Sequence, residues 1–310
     1  MKIHYDYTGY DAQHAAITIG VFDGVHKGHK EILNRILEIA KKIKGQSVVV
    51  TFWPHPRLVL KQDNSIKLIN TLEEKQKLLE KQGIDHLIII PFTEAFSQQT
   101  SEEFIKNVLI DKLHVKHLVV GFNHHFGRDR EGNFEQIQKF AQSYQFEVEK
   151  LDAKIIENEH VSSTKIRNAL GIGDIETANS FLGYSYSITG RVVDGNKIGR
   201  DIGFPTANIQ LDHDFKLLPK EGVYIVEAEI DKLKYPAMLN IGFKPTINQP
   251  EKNMSIEAHI IGFSGDIYKK NVTIYFHKRI RDEIKFDNLE QLKKQLVSDK
   301  QETINYFHLL

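Results

Sequence analysis

Residues 20–29 read GVFDGVHKGH: three glycines, and two histidines three residues apart, placed directly after the apolar run AAITI of residues 15–19. The helically spaced segment KEILNRILEIAKKI follows at residues 30–43. The stretch is therefore a turn from the first strand into a helix, a place where free amides and the helix dipole favour an anion. Glycines let backbone approach a phosphate closely, and imidazole N–H groups donate to its oxygens. A packed glycine turn with two surface histidines is the plain alternative, and zinc is a third. Zinc lacks partners, since the chain has no cysteine and no His–Glu pair nearby. No GxxxxGK[ST] occurs, so the turn is not a P-loop.

Outward from this turn, β-branched runs recur at AAITIGVF, SVVVTFW, HLIIIPF and KHLVVGF. Between them lie the helical patterns LEEKQKLLEKQ, SEEFIKNVLIDKL and GNFEQIQKFAQSY. Thr71 with Glu74, and Thr100 with Glu103, are capping-box starts. Short apolar strands flanked by amphipathic helices predict a parallel, doubly wound sheet. Such sheets bind ligands beyond the carboxyl ends of their strands, near the point where strand order reverses.

Near residue 185 the texture changes. The helical stretch SSTKIRNALGIGDIETANSFLG gives way to strand-forming segments: SITGRVVDGNKIGRDIGFPTANI, GVYIVEAEI, YPAMLNIGF, SIEAHIIGF and VTIYFHK. Polar and apolar residues alternate over residues 255–260, which predicts a half-buried antiparallel strand. A last helix is expected from near Asp287, with Glu290 completing a capping box. Two domains are expected, residues 1–183 and 184–310.

Lysine plus arginine equals aspartate plus glutamate, 41 each, which argues against a protein that coats nucleic acid. No apolar run reaches about 18 residues, so no membrane span is expected. The first residues carry no apolar signal core, and the expected compartment is cytoplasmic. A monomer or weak homo-oligomer is expected.

A second anion-binding arrangement is VSSTKIR, residues 161–167. Ser162 and Ser163 cap a helix start, Thr164 stands in its first turn, and Lys165 and Arg167 bring charge. An ordinary helix cap is the alternative. With the histidine turn at the other end of the domain, the pair suits a nucleotide gripped from two sides.

HxGH after a strand and SSTxIR near the domain end resemble the nucleotidyltransferase superfamily. The fuller set, GVFDGVHKGH with FWPHP, GFNHHFG and VSSTKIRNAL, resembles the FMN adenylyltransferase module of bacterial bifunctional riboflavin kinase/FAD synthetases. GRDIGFPTAN, LNIGFKPT, IEAHI and IRDEIKFDNLEQL resemble the riboflavin kinase module of the same family. The resemblance covers nearly the whole chain. It implies a Rossmann-like α/β nucleotidyltransferase domain, then a mainly-β kinase barrel with a C-terminal helix. The implied reactions convert riboflavin to FMN and FMN to FAD, with Mg2+ accompanying ATP.

By that resemblance Glu257 is the kinase base, and Thr206 and Asn208 hold metal and phosphate. Gly195, Lys197, Gly199, Arg200 and Pro205 belong to the ATP side, and Arg281, Asp282, Glu283 and Phe286 to the flavin side. Glu283 is a competing base. In the adenylyltransferase half, His26, His29 and Arg167 are implied as catalytic. ATP would meet these and Gly20, Phe22, Asp23, Gly24, Gly28, Ser162, Ser163 and Thr164. Phe52, Pro54, His55, Pro56 and Asn123 would line the flavin cleft. At residues 121–127, GFNHHFG departs from the usual motif, with His124 replacing a common aromatic.

Overall fold

The computed structural model describes residues 1–60, 66–121, 127–128, 132–151, 161–195, 199, 202–243 and 254–308. The chain divides into two compact units, Met1–Ser163 and Thr164–Leu310.

In the first unit, strands β1 (Lys2–His4), β2 (Ala15–Ile19), β3 (Gln46–Trp53), β4 (His86–Pro91), β5 (Val115–Val120) and β6 (Glu147–Lys150) form one sheet. Its order is β1-β4-β3-β2-β5-β6 and every pair is parallel. The strand ahead of the histidine turn is thus second in the chain, a correction to the expected first. β1 and β6, of three and four residues, carry no sequence pattern long enough to read.

The helices of this unit are α1 (Lys27–Lys42), α2 (Pro56–Leu60), α3 (Leu72–Lys81), α4 (Glu94–Ser97), α5 (Ser101–Phe104) and α6 (Phe134–Tyr144). A π-helical stretch, Ile105–Ile110, continues α5. Successive strand residues point to opposite faces, so the sheet has two cores. Ala16, Val49 and Leu87 pack on one face with Leu33 and Ile36 of α1 and Leu79 of α3. Ile17, Val48 and Ile88 pack on the other with Phe104, Val108 and Ile137. Helices on both faces make this the doubly wound sheet expected. Strand order reverses between β2 and β5, and the histidine turn leaves the carboxyl end of β2.

In the second unit, α7 (Ser163–Ile172, its first residue closing the first unit) and α8 (Ile175–Leu182) break at Gly173, where φ is +84°. They pack with the strands that follow, and Asn179 Nδ2 donates to the Phe276 carbonyl at 2.8 Å. Those strands are β7 (Ser187–Val193), β8 (Ala207–Leu211), β9 (Gly222–Ile230), β10 (Leu233–Phe243), β11 (Met254–Ile260) and β12 (Asn271–Arg281). They close an antiparallel barrel in the order β10-β11-β8-β7-β12-β9. Tyr186, Tyr224 and Phe276 are among its fully buried side chains. Helix α9 (Leu289–His308) completes the unit. Its cap is Asn288, whose Oδ1 accepts from the Gln291 amide at 2.9 Å, one residue beyond the Asp287 start expected. Among the described residues no helix is long and apolar enough to cross a membrane.

Candidate functional site

The turn after β2 is tightly wound. Phe22, Gly24 and Val25 have φ of +49°, +93° and +35°, and Val25 is β-branched, a backbone state rarely adopted without a reason. Gly20 donates to the Val50 carbonyl at 3.0 Å, and the Thr51 hydroxyl donates to the Val21 carbonyl at 3.2 Å. The buried Asp23 carboxylate turns inward and accepts the amides of Ile69 and Asn70 at 3.0 and 3.2 Å. These two bonds tie the turn to the segment ahead of α3.

His26 is the N-cap of α1, and its Nδ1 accepts the His29 amide at 3.3 Å. A neutral His26 therefore carries its proton on Nε2, in donor form. The His26 and His29 rings stack with centroids 3.6 Å apart, and Phe22 meets His29 edge-on. Burial, then His26 and Lys75, hold His29 well below the ordinary histidine pKa, so it stays neutral at neutral pH. Its Nδ1 is buried and makes no hydrogen bond among the described residues. Gly28, also buried, lets α1 begin against the sheet.

The second motif meets the first. Ser163 Oγ donates to the Asp23 carbonyl at 2.8 Å, a contact spanning 140 residues. Ser162 is half-buried, Thr164 is exposed, and Arg167 stands half-buried on α7. At the exit of β3, Phe52 packs edge-on against Phe92 and at a tilt against Phe96. Trp53–Pro54 is cis, Pro54 is exposed, and Pro56 begins α2. His55 is buried, and its Nδ1 accepts the Arg57 amide at 3.0 Å. Asn123, His124 and His125 lie outside the described residues.

The barrel holds a cavity of about 310 Å³. Glu257 on β11 stands in register between Asn208 of β8 and Asn240 of β10, which makes a polar row across three strands. Glu257, Asn240, Thr206, Glu283 and Phe286 all line the cavity. His259, two residues on from Glu257, lines it too and is buried, so the polar face of β11 is a cavity wall and not a solvent face. His259 Nδ1 pairs with the Pro205 carbonyl at 2.9 Å. Glu283 Oε1 accepts from Asn240 Nδ2 at 3.3 Å.

Two glycines are fixed by close approach. A Cβ on Gly195 would lie 2.1 Å from Asn208 Nδ2, and one on Gly199 would lie 2.2 Å from the Phe204 carbonyl oxygen. The Thr206 hydroxyl and the Asn208 amide oxygen are hard donors of the kind Mg2+ takes beside phosphate and water. With the close seat Gly195 gives Asn208, this donor set fits the ion that the resemblance implies. Lys197 and Arg200 lie outside the described residues.

Arg281 lines the cavity, but its guanidinium is forked onto the buried Asp299 of α9, with Nη2 to Oδ2 at 2.7 Å. Asp282 is exposed and pairs with Arg279 at 2.6 Å, which lowers its pKa. Several wall residues escaped the sequence reading, among them His259, Asn240, Leu292 and Leu296. Leu289, Leu292 and Leu296 follow helical spacing, which was the available signal for the last two.

Comparison with known proteins agrees with both halves. Residues 10–165 match the family model described as FAD synthetase, and residues 182–307 the one described as riboflavin kinase. The bifunctional riboflavin kinase/FMN adenylyltransferase of Bacillus subtilis (strain 168) is 38% identical over 298 residues, covering 94% of this chain and 92% of that protein. The protein of the same description from Escherichia coli (strain K12) is 34% identical over 294 residues, covering 94% and 93%. A crystal structure described as a macrolide-efflux protein from Streptococcus pneumoniae superposes with a TM-score of 0.87 at 32% identity, covering 98% of each chain. With both modules matched in order and the relatives aligned almost end to end, the chain belongs to the bifunctional riboflavin kinase/FMN adenylyltransferase family.

Proposed function

We propose that Glu257 serves the kinase reaction of this enzyme and the His26–His29 turn its adenylyl transfer, in two separate sites. The functional division proposed is residues 1–183 and 184–310, with both reactions in the cytoplasm. The observation that carries the reading is the row Asn208–Glu257–Asn240 across three strands, of which Glu257 and Asn240 line the cavity.

In the kinase step, the 5′-hydroxyl oxygen of riboflavin attacks the γ-phosphorus of ATP, its proton passes to Glu257, and ADP leaves. Glu257 is preferred to Glu283 because it is half-buried in the wall, while Glu283 is exposed. Thr206 and Asn208 would hold Mg2+, which offsets phosphate charge when bound. Arg281, forked onto Asp299, presents its stem to the flavin side and does not act as a mobile cation.

Adenylyl transfer needs no base, because the attacking FMN phosphate is already an anion. Its oxygen attacks the α-phosphorus of ATP, the bond to the β-phosphate breaks, and pyrophosphate leaves. Alignment and charge then decide the rate. His26 and His29 donate to phosphate oxygens, with the amides of the α1 N-terminus behind them, and Arg167 adds charge.

Glu257→Gln should lower FMN formation about 10²- to 10⁴-fold while FMN fed with Mg-ATP still becomes FAD. His29→Ala should do the reverse. Chromatography of both products decides it, and loss of both activities in each folded variant would refute the two-site reading.

A further inference from the structure

Helix α3 brings a charged side chain under the histidine turn. Leu72, Lys75 and Leu79 share one face by helical spacing, and all three are buried. Lys75 is 2% exposed, and its Nζ donates to the Val21 carbonyl at 2.7 Å and lies 5.9 Å from the Trp53 ring centre. The same carbonyl already accepts the Thr51 hydroxyl. Closing it did not require a cation, and burying an ammonium carries a large desolvation cost. Asp23 is the carboxylate facing Lys75, but its oxygens are engaged by the Ile69 and Asn70 amides.

We propose that Lys75 is the resident cation of the phosphate cradle: it anchors the turn through Val21 and supplies, from beneath, positive charge for the polyphosphate of ATP. It is a positioning residue, acting through Val21 and through its field on the turn, and the proposal rests on the adenylyltransferase reading above. His29 cannot carry that charge at neutral pH, since burial and its neighbours keep it neutral. Besides Asp23, the titratable groups around Lys75 are His29 at the first turn of α1 and His26 stacked beyond it. On α3 itself, Glu74 is turned back to the N-cap, where it accepts the Thr71 amide.

Burial pulls Lys75 down to about 8, with Asp23 opposing. The free enzyme therefore holds this charge below about pH 8 and loses it above, and a bound polyphosphate favours the protonated form.

The test is the pH profile of kcat/KM for ATP in FAD formation, which reports ionisations of the free enzyme. The native chain should fall off above about pH 8. Lys75→Met should lower kcat/KM about 10- to 100-fold below that limb and flatten the profile. Lys75→Arg, whose guanidinium stays charged, should keep most of the activity and carry the limb out of the measured range. Inorganic pyrophosphate should inhibit FAD formation less strongly in Lys75→Met than in the native chain. Riboflavin phosphorylation by the same preparations reports an intact second unit, and hydrogen-exchange protection over residues 1–163 reports that the first unit of each variant is folded. An unchanged limb in both variants, or an unchanged kcat/KM in Lys75→Met, overturns the proposal. If Lys75→Met does not fold, the Lys75→Arg profile decides alone. A native chain that makes FMN but never FAD would be a different failure, that of the adenylyltransferase reading, and the proposal would fall with it.

Discussion

His259 ties two motifs together through one ring. The Pro205 carbonyl can only accept, so Nδ1 of a neutral His259 carries the proton, and Nε2 is left buried with no hydrogen bond among the described residues. That bond joins β11, which bears Glu257, to the segment that leads into Thr206 and Asn208. Burial holds the ring below the ordinary histidine pKa, so the donor tautomer persists at neutral pH. His259→Leu would keep most of the volume and remove the donor, leaving the carbonyl unpaired. The expected cost is about 1–3 kcal/mol in stability, with KM for ATP in riboflavin phosphorylation rising more than kcat falls. His259→Asn offers an amide N–H near the Nδ1 position and should recover most of the KM. Steady-state kinetics and thermal melts of the two variants check this, and equal KM values in both would exclude the anchoring role.

Elements differ in how far their own residues announce them. Thr71 and Thr100 form the capping boxes expected, because a box is a local exchange of hydrogen bonds between residues three apart. The histidine turn was legible for the same reason, as a strand, glycines and a helix start in unbroken order. Lys75 was not, because a lysine in LEEKQKLLEK reads as solvated until the sheet shows which face is covered. The partner of Arg281 was likewise unreadable, since Asp299 lies on an element whose placement only the closed barrel decides. That pair carries the prediction for α9. Asp299 is 1% exposed and takes Nε and Nη2 of Arg281, while Gln295 donates to its Oδ1 at 2.8 Å. Asp299→Ala leaves the guanidinium uncompensated and should cost about 3 kcal/mol, the lower end for a broken buried pair because Arg281 keeps some solvent. Leu292 and Leu296 bring α9 into the cavity wall, so KM for riboflavin should rise with the loss of stability. Replacing both partners with Leu and Met should return much of the stability, which denaturant titration of the three chains would measure.

At the scale of the molecule, a balanced charge of 41 against 41 leaves little net repulsion near neutrality, and the histidines set the response to acid. Burial is the largest influence on His29, His86, His117 and His277, and it pulls each below 6.5. His86 is almost fully buried beside His4, whose Nε2 lies 3.0 Å from its Nδ1, so protonating both rings would break their hydrogen bond. His117 and His277 lie near carboxylates, Glu147 and Glu227, which oppose the shift without reversing it. Between the depressed folded values and 6.5 the unfolded chain binds more protons than the folded one, so stability must fall as pH is lowered through that window. Each histidine that stays neutral in the fold contributes up to about 1.4 kcal/mol per pH unit there. Because the four lie in both units, acid should weaken the sheet and the barrel together, well above the range where carboxylates titrate. Melting temperatures should be nearly flat from about pH 8 to 7 and drop steeply from about pH 6.5 to 5. His86→Phe tests the assignment in the sheet and His277→Phe in the barrel. Each should make the acid drop shallower, and a profile unchanged in both would assign acid sensitivity to other groups.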